Sequence, residues 1–278
     1  MPRKKTGPIV QALAIQAPVE RVWAALTSPR DLGQLVLGRV EMRAEPGTAF
    51  SWQWGVWETA APRGGPEKFT WKGKVLDVVP GAALVLGPEP LVTLTVKGQG
   101  GAALVTVVQP ATPAHTGEDY EYGWADFLLH LKTNLEAEQA EKEVLVRALL
   151  KATPQQVYRA WLSAPAMAKI IPGKAKIKAK AGQHFSWQHR RSQHVNTGVF
   201  LELRKNKRLV FTWEGTRPAS EVAAEAQPMP YGTLVSIHHT GLLRLNPGQL
   251  FGQRMFWARL VERMRCYFYF KGKIKTAD

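Results

Sequence analysis

The 278-residue chain has a single cysteine, Cys266, and that scarcity rules out an intramolecular disulfide framework. A lone thiol suits a reducing compartment, and its place in the last apolar helical segment reads as a buried, inert side chain. Long hydrophobic runs are missing as well: no stretch approaches the roughly 18 apolar residues of a membrane span. The N-terminal MPRKKTGP is basic, but no apolar core follows it. A secretory signal is therefore not expected, and a cytoplasmic setting is. There is no glycine-rich phosphate loop, no nucleophile elbow and no paired-cysteine metal motif, so no cofactor, metal site or catalytic residue is expected from motifs.

What the sequence does contain, it contains twice. FSWQ occurs at Phe50–Gln53 and again at Phe185–Gln188, 135 positions on. The flanks repeat at the same offset without a gap: Gly38 falls on Gly173, Met42 on Ile177 and Gly47 on Gly182. Upstream, APVERVWAALTS from Ala17 lies on ATPQQVYRAWLS from Ala152. Downstream, Gly73 matches Gly198 at an offset of 125, so the first copy holds about ten extra residues, the Pro/Gly-rich Glu58–Lys68. Trp124, Leu128, Leu131 and Leu135 fall on Trp257, Val261, Met264 and Phe268. A period this long exceeds the about 20–50 residues of a solenoid unit and is the size of a domain. Two domains are expected, 1–139 and 140–278.

Each half has the same grammar. A strand (9–16; 143–151) leads into a short helix with an apolar face at Val19, Val22, Trp23 and Leu26, or at Val157, Tyr158, Trp161 and Leu162. Pro29 and Pro165 end that helix, and a second short one is expected after it. About six alternating β-branched and aromatic runs follow, broken by turn signals such as Glu45-Pro-Gly47 and Lys205-Asn206. A long helix closes each half, near 118–139 and 248–270. Consecutive strands without crossover helices imply an antiparallel sheet, covered by that one helix.

This α+β order resembles the helix-grip fold of the START and birch-pollen-allergen (SRPBCC) superfamily. The sequence is most similar to the family of activator of heat-shock protein 90 ATPase homologues. The resemblance rests on Ala17-Pro-x-x-x-Val22-Trp23-x-Ala25-Leu26-x-x-Pro29, Pro46-Gly47-x-x-Phe50, Gly73 with Pro80-Gly81, and Gly123-Trp124. In the second copy it rests on Gly182-x-x-Phe185, Gly232-Thr233 and His239-Thr-Gly241. It departs where many members carry a tryptophan after the second short helix, since Leu35-Val-Leu37 and Ile170-Ile171 stand there. The resemblance implies two tandem domains, each a curved antiparallel sheet wrapped around its C-terminal helix. It also implies three classes of function: binding of a small hydrophobic or amphipathic ligand in a cavity between sheet and helix, an activator-like co-chaperone or protein-interaction role, and cyclase- or hydrolase-like catalysis.

Strand alternation places Phe50, Trp52 and Trp54 on one face, and Phe185, Trp187 and His189 on its counterpart. That face looks across at the terminal helix, so these residues are either packed core or the wall of a ligand cavity. Bulk favours a wall. Trp23, Trp71, Gln109, Trp124 and Phe127 join it in the first half, and Tyr158, Trp161, Trp213, His239 and Trp257 in the second. Five of the seven histidines lie in the second half. Alternation sends His184 and His238 to the opposite face from His189 and His239, which argues against three or four converging metal ligands. His189 and His239 both extrapolate to the inner face, where a titratable pair could orient a ligand or exchange protons.

Acidic residues are scarce in one half only. Through Glu138 there are 13 Lys+Arg against 14 Asp+Glu, a net of −1; from Gln139 there are 24 against 8, a net of +16. Lys174, Lys176, Lys178 and Lys180 alternate along a single expected strand, all on the face opposite Ala175 and Ile177. A field of that strength exceeds what solubility needs and attracts polyanions, with nucleic acid, an anionic membrane surface and an acidic protein all admissible.

Overall fold

The computed structural model describes residues 7–56, 70–111, 118–137, 142–192, 194–214 and 219–274. The proline-rich insertion, the expected junction at Gln139 and Lys275 lie outside them. The described residues form two compact units, domain 1 from 7–55, 70–111 and 118–137, and domain 2 from 142 onward.

Domain 1 runs β1 (Ile9–Ile15), α1 (Val19–Thr27), α2 (Pro29–Leu35), β2 (Arg39–Glu41), β3 (Ala49–Gln53), β4 (Thr70–Val79), β5 (Ala83–Gly87), β6 (Val92–Gln99), β7 (Ala102–Gln109) and α3 (Glu118–Ala137). Domain 2 repeats this as β8 (Val144–Leu150), α4 (Pro154–Leu162), α5 (Ala164–Ile170), β9 (Gly173–Ile177), β10 (His184–His189), β11 (Asn196–Arg204), β12 (Arg208–Trp213), β13 (Ser220–Met229), β14 (Gly232–Thr240) and α6 (Pro247–Tyr269). Each sheet has seven antiparallel strands, ordered β1-β7-β6-β5-β4-β3-β2 and β8-β14-β13-β12-β11-β10-β9. The first strand pairs with the last, the rest form a meander, and the long helix lies along the first strand.

Local chemistry explains the breaks. Thr153 and Gln156 form a capping box at the start of α4, with Pro154 at its first turn. Ser28 and Ser163 accept from Asp31 and Ala166 at the starts of α2 and α5. Pro29 and Pro165 therefore do more than end the first helix: each also sits in the first turn of the next. β4 slips register between Val75 and Asp77, and β11 slips at the matching place between Phe200 and Glu202. A bulge strengthens local twist, and this matched pair curls both sheets alike. The terminal helix reaches back to the second short helix in both copies. His130 Nδ1 lies 3.4 Å from the Leu35 carbonyl oxygen, and Arg263 donates to the Ile170 carbonyl.

The repeated FSWQ has a steric reason. Phe50 is paired across the ladder with Gly73, and Phe185 with Gly198. A Cβ on Gly198 would stand 1.9 Å from the Thr212 carbonyl oxygen and 2.7 Å from the Phe185 ring. On Gly73 it would stand 2.2 Å from the Gly87 oxygen and 2.9 Å from the Phe50 ring. Each phenylalanine lies over the strand where the glycine leaves room. Gly198→Ala is accordingly expected to destabilise domain 2 by about 1–3 kcal/mol, since backbone must shift to admit a single methyl. Urea denaturation checks this, and an unchanged midpoint would show that the ring is not seated on the glycine.

Candidate functional site

In domain 1 the space between sheet and α3 holds a chain of aromatic rings. Trp52 is fully buried, stacks on Phe127 at 5.8 Å between centroids, and meets Trp71 edge-on at 5.3 Å. Trp71 in turn touches Phe50 at 4.8 Å and Trp124 at 6.0 Å. Trp54, just past the end of β3, tilts against Trp52 at 6.4 Å. Trp23, Trp54 and Trp71 are only half-buried and pack against the core from its rim. The polar tips divide into two kinds. Trp124 Nε1–H donates to Gln109 Oε1 at 2.7 Å, tying α3 to β7. The indole N–H groups of Trp52 and Trp71 are buried and have no hydrogen-bond partner among the described residues.

Domain 2 fills the equivalent space. Trp187, Trp213, Trp257, Phe185, Phe200 and Phe211 are all fully buried. Phe185 lies 4.8 Å from Trp187 and 5.2 Å from Phe211, and Trp213 lies 4.9 Å from Trp257. Trp161 on α4 closes the cluster at 5.8 Å from Trp187. Away from the closing helix, half-buried Tyr158 with Trp161 of α4 and Leu209 and Ala224 of the sheet lines a cavity of about 10 Å³, room for a single water rather than a ligand. Burial raises the Tyr158 hydroxyl pKa. Position 196, opposite Trp187, is asparagine where domain 1 has Trp71 opposite Trp52. The Trp187 indole N–H, like that of Trp52, has no partner among the described residues.

The two histidines expected to face one another do not converge. β10 and β14 are separated by three strands in the sheet. His239 is fully buried, but His189 is exposed: it is the last residue of its strand, so parity alone misplaces it in the cavity. Its Nδ1 accepts from the Arg191 backbone N–H at 3.2 Å. Partial desolvation, then Arg263, Arg190 and Arg191, lower its pKa.

His239 is held on both sides. An indole N–H can only donate, so the 2.9 Å bond from Trp257 Nε1 makes His239 Nδ1 an acceptor. In the neutral ring the proton is then on Nε2, which donates to Ser220 Oγ at 2.6 Å. A serine facing a protonated imidazole nitrogen finds no base there, so the Ser220–His239 pair does not form an activated nucleophile. Burial, with neighbouring His238 as a smaller cause, lowers the His239 pKa to about 4. The arrangement is a tie from α6 to β14, with the same geometry that Gln109 and Trp124 give domain 1. Ser220, the third member, was not singled out from sequence; its ladder position opposite Trp213 is what sends it inward. Cys266 is buried too, and desolvation holds its thiol well above the usual range, as suits an inert side chain.

Lys174, Lys176, Lys178 and Lys180 are all exposed. Only the first two lie on β9, which ends at Ile177. Lys178 and Lys180 continue into the turn that reaches Gly182, where the Lys180 N–H bonds to the Lys178 carbonyl at 2.8 Å. Among the described residues no helix is long and apolar enough to cross a membrane.

A curled seven-stranded antiparallel sheet that closes on a long C-terminal helix, with two short helices between its first and second strands, defines the helix-grip class, here present twice in tandem. The chain belongs to the family described as Activator of Hsp90 ATPase homolog 1-like protein, which matches residues 16–136 and again 151–267. No curated protein matches it. Among solved structures, DynU16 of the dynemicin biosynthetic locus is similar over 94% of this chain and 98% of its own, at 20% identity and a TM-score of 0.40. The Aha1 protein of Colwellia psychrerythraea, solved as a dimer, aligns with 47% of this chain and 98% of its own, at 16% identity and a TM-score of 0.43. PFC0360w, an HSP90 activator from Plasmodium falciparum, aligns with 44% of this chain and 93% of its own, at 14% identity and a TM-score of 0.37.

Proposed function

We propose that the protein is a binding protein and that domain 1 is the half that holds a small hydrophobic or amphipathic ligand, between the sheet and α3. The observation that carries this reading is the Trp71 indole N–H, buried without an acceptor among the described residues, in a half-buried ring that packs on Phe50, Trp52 and Trp124. A buried unpaired donor costs about 1–3 kcal/mol, so the site is completed by a molecule with an apolar body and an acceptor atom. Domain 2 has asparagine at that position and a filled core. That filling favours a docking role for the second half rather than a ligand-holding one.

The test uses the anionic dye anilinonaphthalene sulfonate on the full chain. Saturable binding is expected, weakened about five- to tenfold by Trp71→Phe, which keeps the ring and removes the donor. Trp213→Phe in domain 2 is expected to leave it unchanged. Dye binding that is indifferent to Trp71, or follows Trp213, would overturn the reading.

A further inference from the structure

The four lysines that follow Gly173 have exact counterparts in domain 1, because the two copies align there without a gap. Lys174, Lys176, Lys178 and Lys180 stand on Arg39, Glu41, Arg43 and Glu45. All eight side chains are exposed. In domain 1 the signs alternate and the row sums to zero, with Arg39 and Glu41 paired at 2.5 Å. In domain 2 the same positions carry four charges of one sign, and none of the four lysines makes an ion pair among the described residues.

Both rows begin on edge strands, β2 and β9, each paired on one side only. Charge on an edge strand keeps it from pairing with another chain, and for that purpose mixed charge serves as well as uniform charge. The equivalent edge of domain 1 carries its charge in mixed signs. Edge protection therefore accounts for the presence of charge on β9 and leaves its single sign unexplained.

We infer that the β9 edge of domain 2 is a docking surface for the phosphate backbone of a nucleic-acid duplex, bound without regard to sequence. Lys174 and Lys176 are two residues apart on a strand, about 6.6 Å, which is twice the roughly 3.4 Å axial spacing of phosphates on one strand of a duplex. The outer face beside them is polar: Gln188 pairs with Lys174, Ser186 with Lys176, and Thr197 with Ser186, the Thr197 hydroxyl donating to the Glu214 carboxylate at 2.6 Å and the Gln188 amide to the Ser192 carbonyl at 3.2 Å. Hydroxyl and amide groups beside lysines are the usual complement of phosphate oxygens. Arg190 and Arg191, both exposed, follow at the end of β10.

The same neighbours discriminate against other polyanions. An anionic membrane surface is held by basic residues together with inserted apolar side chains, and a protein interface has an apolar or aromatic centre. Every phenylalanine and tryptophan on β10 and β11 is buried, β9 has neither, and Leu201 is the sole strongly exposed large hydrophobic on the three strands, with His184 and His189 exposed at the two ends of β10. Single strands are gripped chiefly by stacking on exposed phenylalanine, tyrosine or tryptophan, which these three strands do not offer.

The experiment measures binding of a short mixed-sequence DNA duplex to the full chain by fluorescence anisotropy, between about 50 and 200 mM salt. Lys176→Glu with Lys180→Glu gives domain 2 the sign pattern of domain 1. Four lysines on phosphates contribute about −3.6 to the slope of log K against log salt, so the double variant is expected to flatten that slope by about 2–4 and to weaken low-salt binding at least tenfold. Circular dichroism melting confirms the fold; if the reversal disturbs it, Lys176→Gln with Lys180→Gln takes its place, with a flattening of about 2. An unchanged slope in a folded variant would overturn the inference. So would wild-type binding to poly-glutamate or to phosphatidylserine vesicles that matches the duplex in affinity and in salt slope.

Discussion

Trp257→Ala is expected to remove about 3–5 kcal/mol from the stability of domain 2, the usual result of emptying a packed tryptophan site. The ring is fully buried and touches Trp213, Phe211, Phe256 and His239. Truncation also leaves His239 Nδ1 without its donor. Since a domain of this size has only about 5–15 kcal/mol in hand, the variant should stand near its unfolding threshold at room temperature. Trp257→Phe, which keeps most of the apolar contact and loses the hydrogen bond, should cost about 1–3 kcal/mol. Urea denaturation of the domain 2 transition separates the two. A loss below about 2 kcal/mol for the alanine variant would mean that the space between sheet and α6 is loosely filled, and that domain 2 deserves consideration as a ligand holder.

The second large effect is on acid stability. His239 has its pKa lowered to about 4 in the folded domain, from 6.5. The unfolded chain therefore takes up this proton first as the pH falls. The stability owed to the neutral, buried ring is complete above about pH 6.5 and is lost progressively down to about pH 4, a total of about 3 kcal/mol at 1.36 kcal/mol per unit. Carboxylates titrate in the lower part of that window, so the informative quantity is the difference between the wild type and His239→Gln. Gln109 already performs this tie to Trp124 in domain 1, so glutamine is expected to keep the fold and remove the histidine's share of the pH dependence. Thermal melts at half-unit steps between pH 7 and 4 measure it. Parallel curves for the two proteins would show that His239 is protonated as readily in the folded state as in the unfolded one.

Much of the fold was legible because repeated sequence and strand parity carry long-range information. The gapless match from Gly38 to Phe50 covers one edge of each sheet, β2 in the first and β9 in the second, and the Trp124/Trp257 match located both closing helices. Parity correctly turned Trp52, Trp187 and His239 inward. It failed at strand ends, because alternation has no knowledge of where a strand stops: His189 and Lys180 lie at or beyond the last ladder pair, and one is exposed while the other belongs to a turn. Parity also says nothing about volume. Trp213 and Trp257 had the bulk expected of cavity walls, yet their rings lie 4.9 Å apart and pack on one another, with Phe211 and Phe256 against them, an interleaving that alternation along a strand does not reveal. Ser220 was invisible for a related reason, since a small polar residue gives no periodic signal and takes its meaning from Trp213 across the ladder.

A duplicated domain is also a pair of replicates, and the Gly73–Phe50 and Gly198–Phe185 pairs show what drift between replicates cannot touch. At most matched positions the copies have gone separate ways: glutamine against histidine beside the closing tryptophan, alternating signs against uniform ones on the edge strand. At these glycines the neighbouring main chain occupies the volume that any side chain would need, so no compensating change elsewhere in the side-chain set can open it. Random substitution followed by selection for solubility alone, with no functional screen, should leave Gly73 and Gly198 unvaried in the survivors while residues around Trp71 and along the β9 edge scatter freely. Invariance and usefulness would thus separate in this protein, the most constant positions marking where the backbone is crowded and the most divergent ones marking where the two halves took up different work.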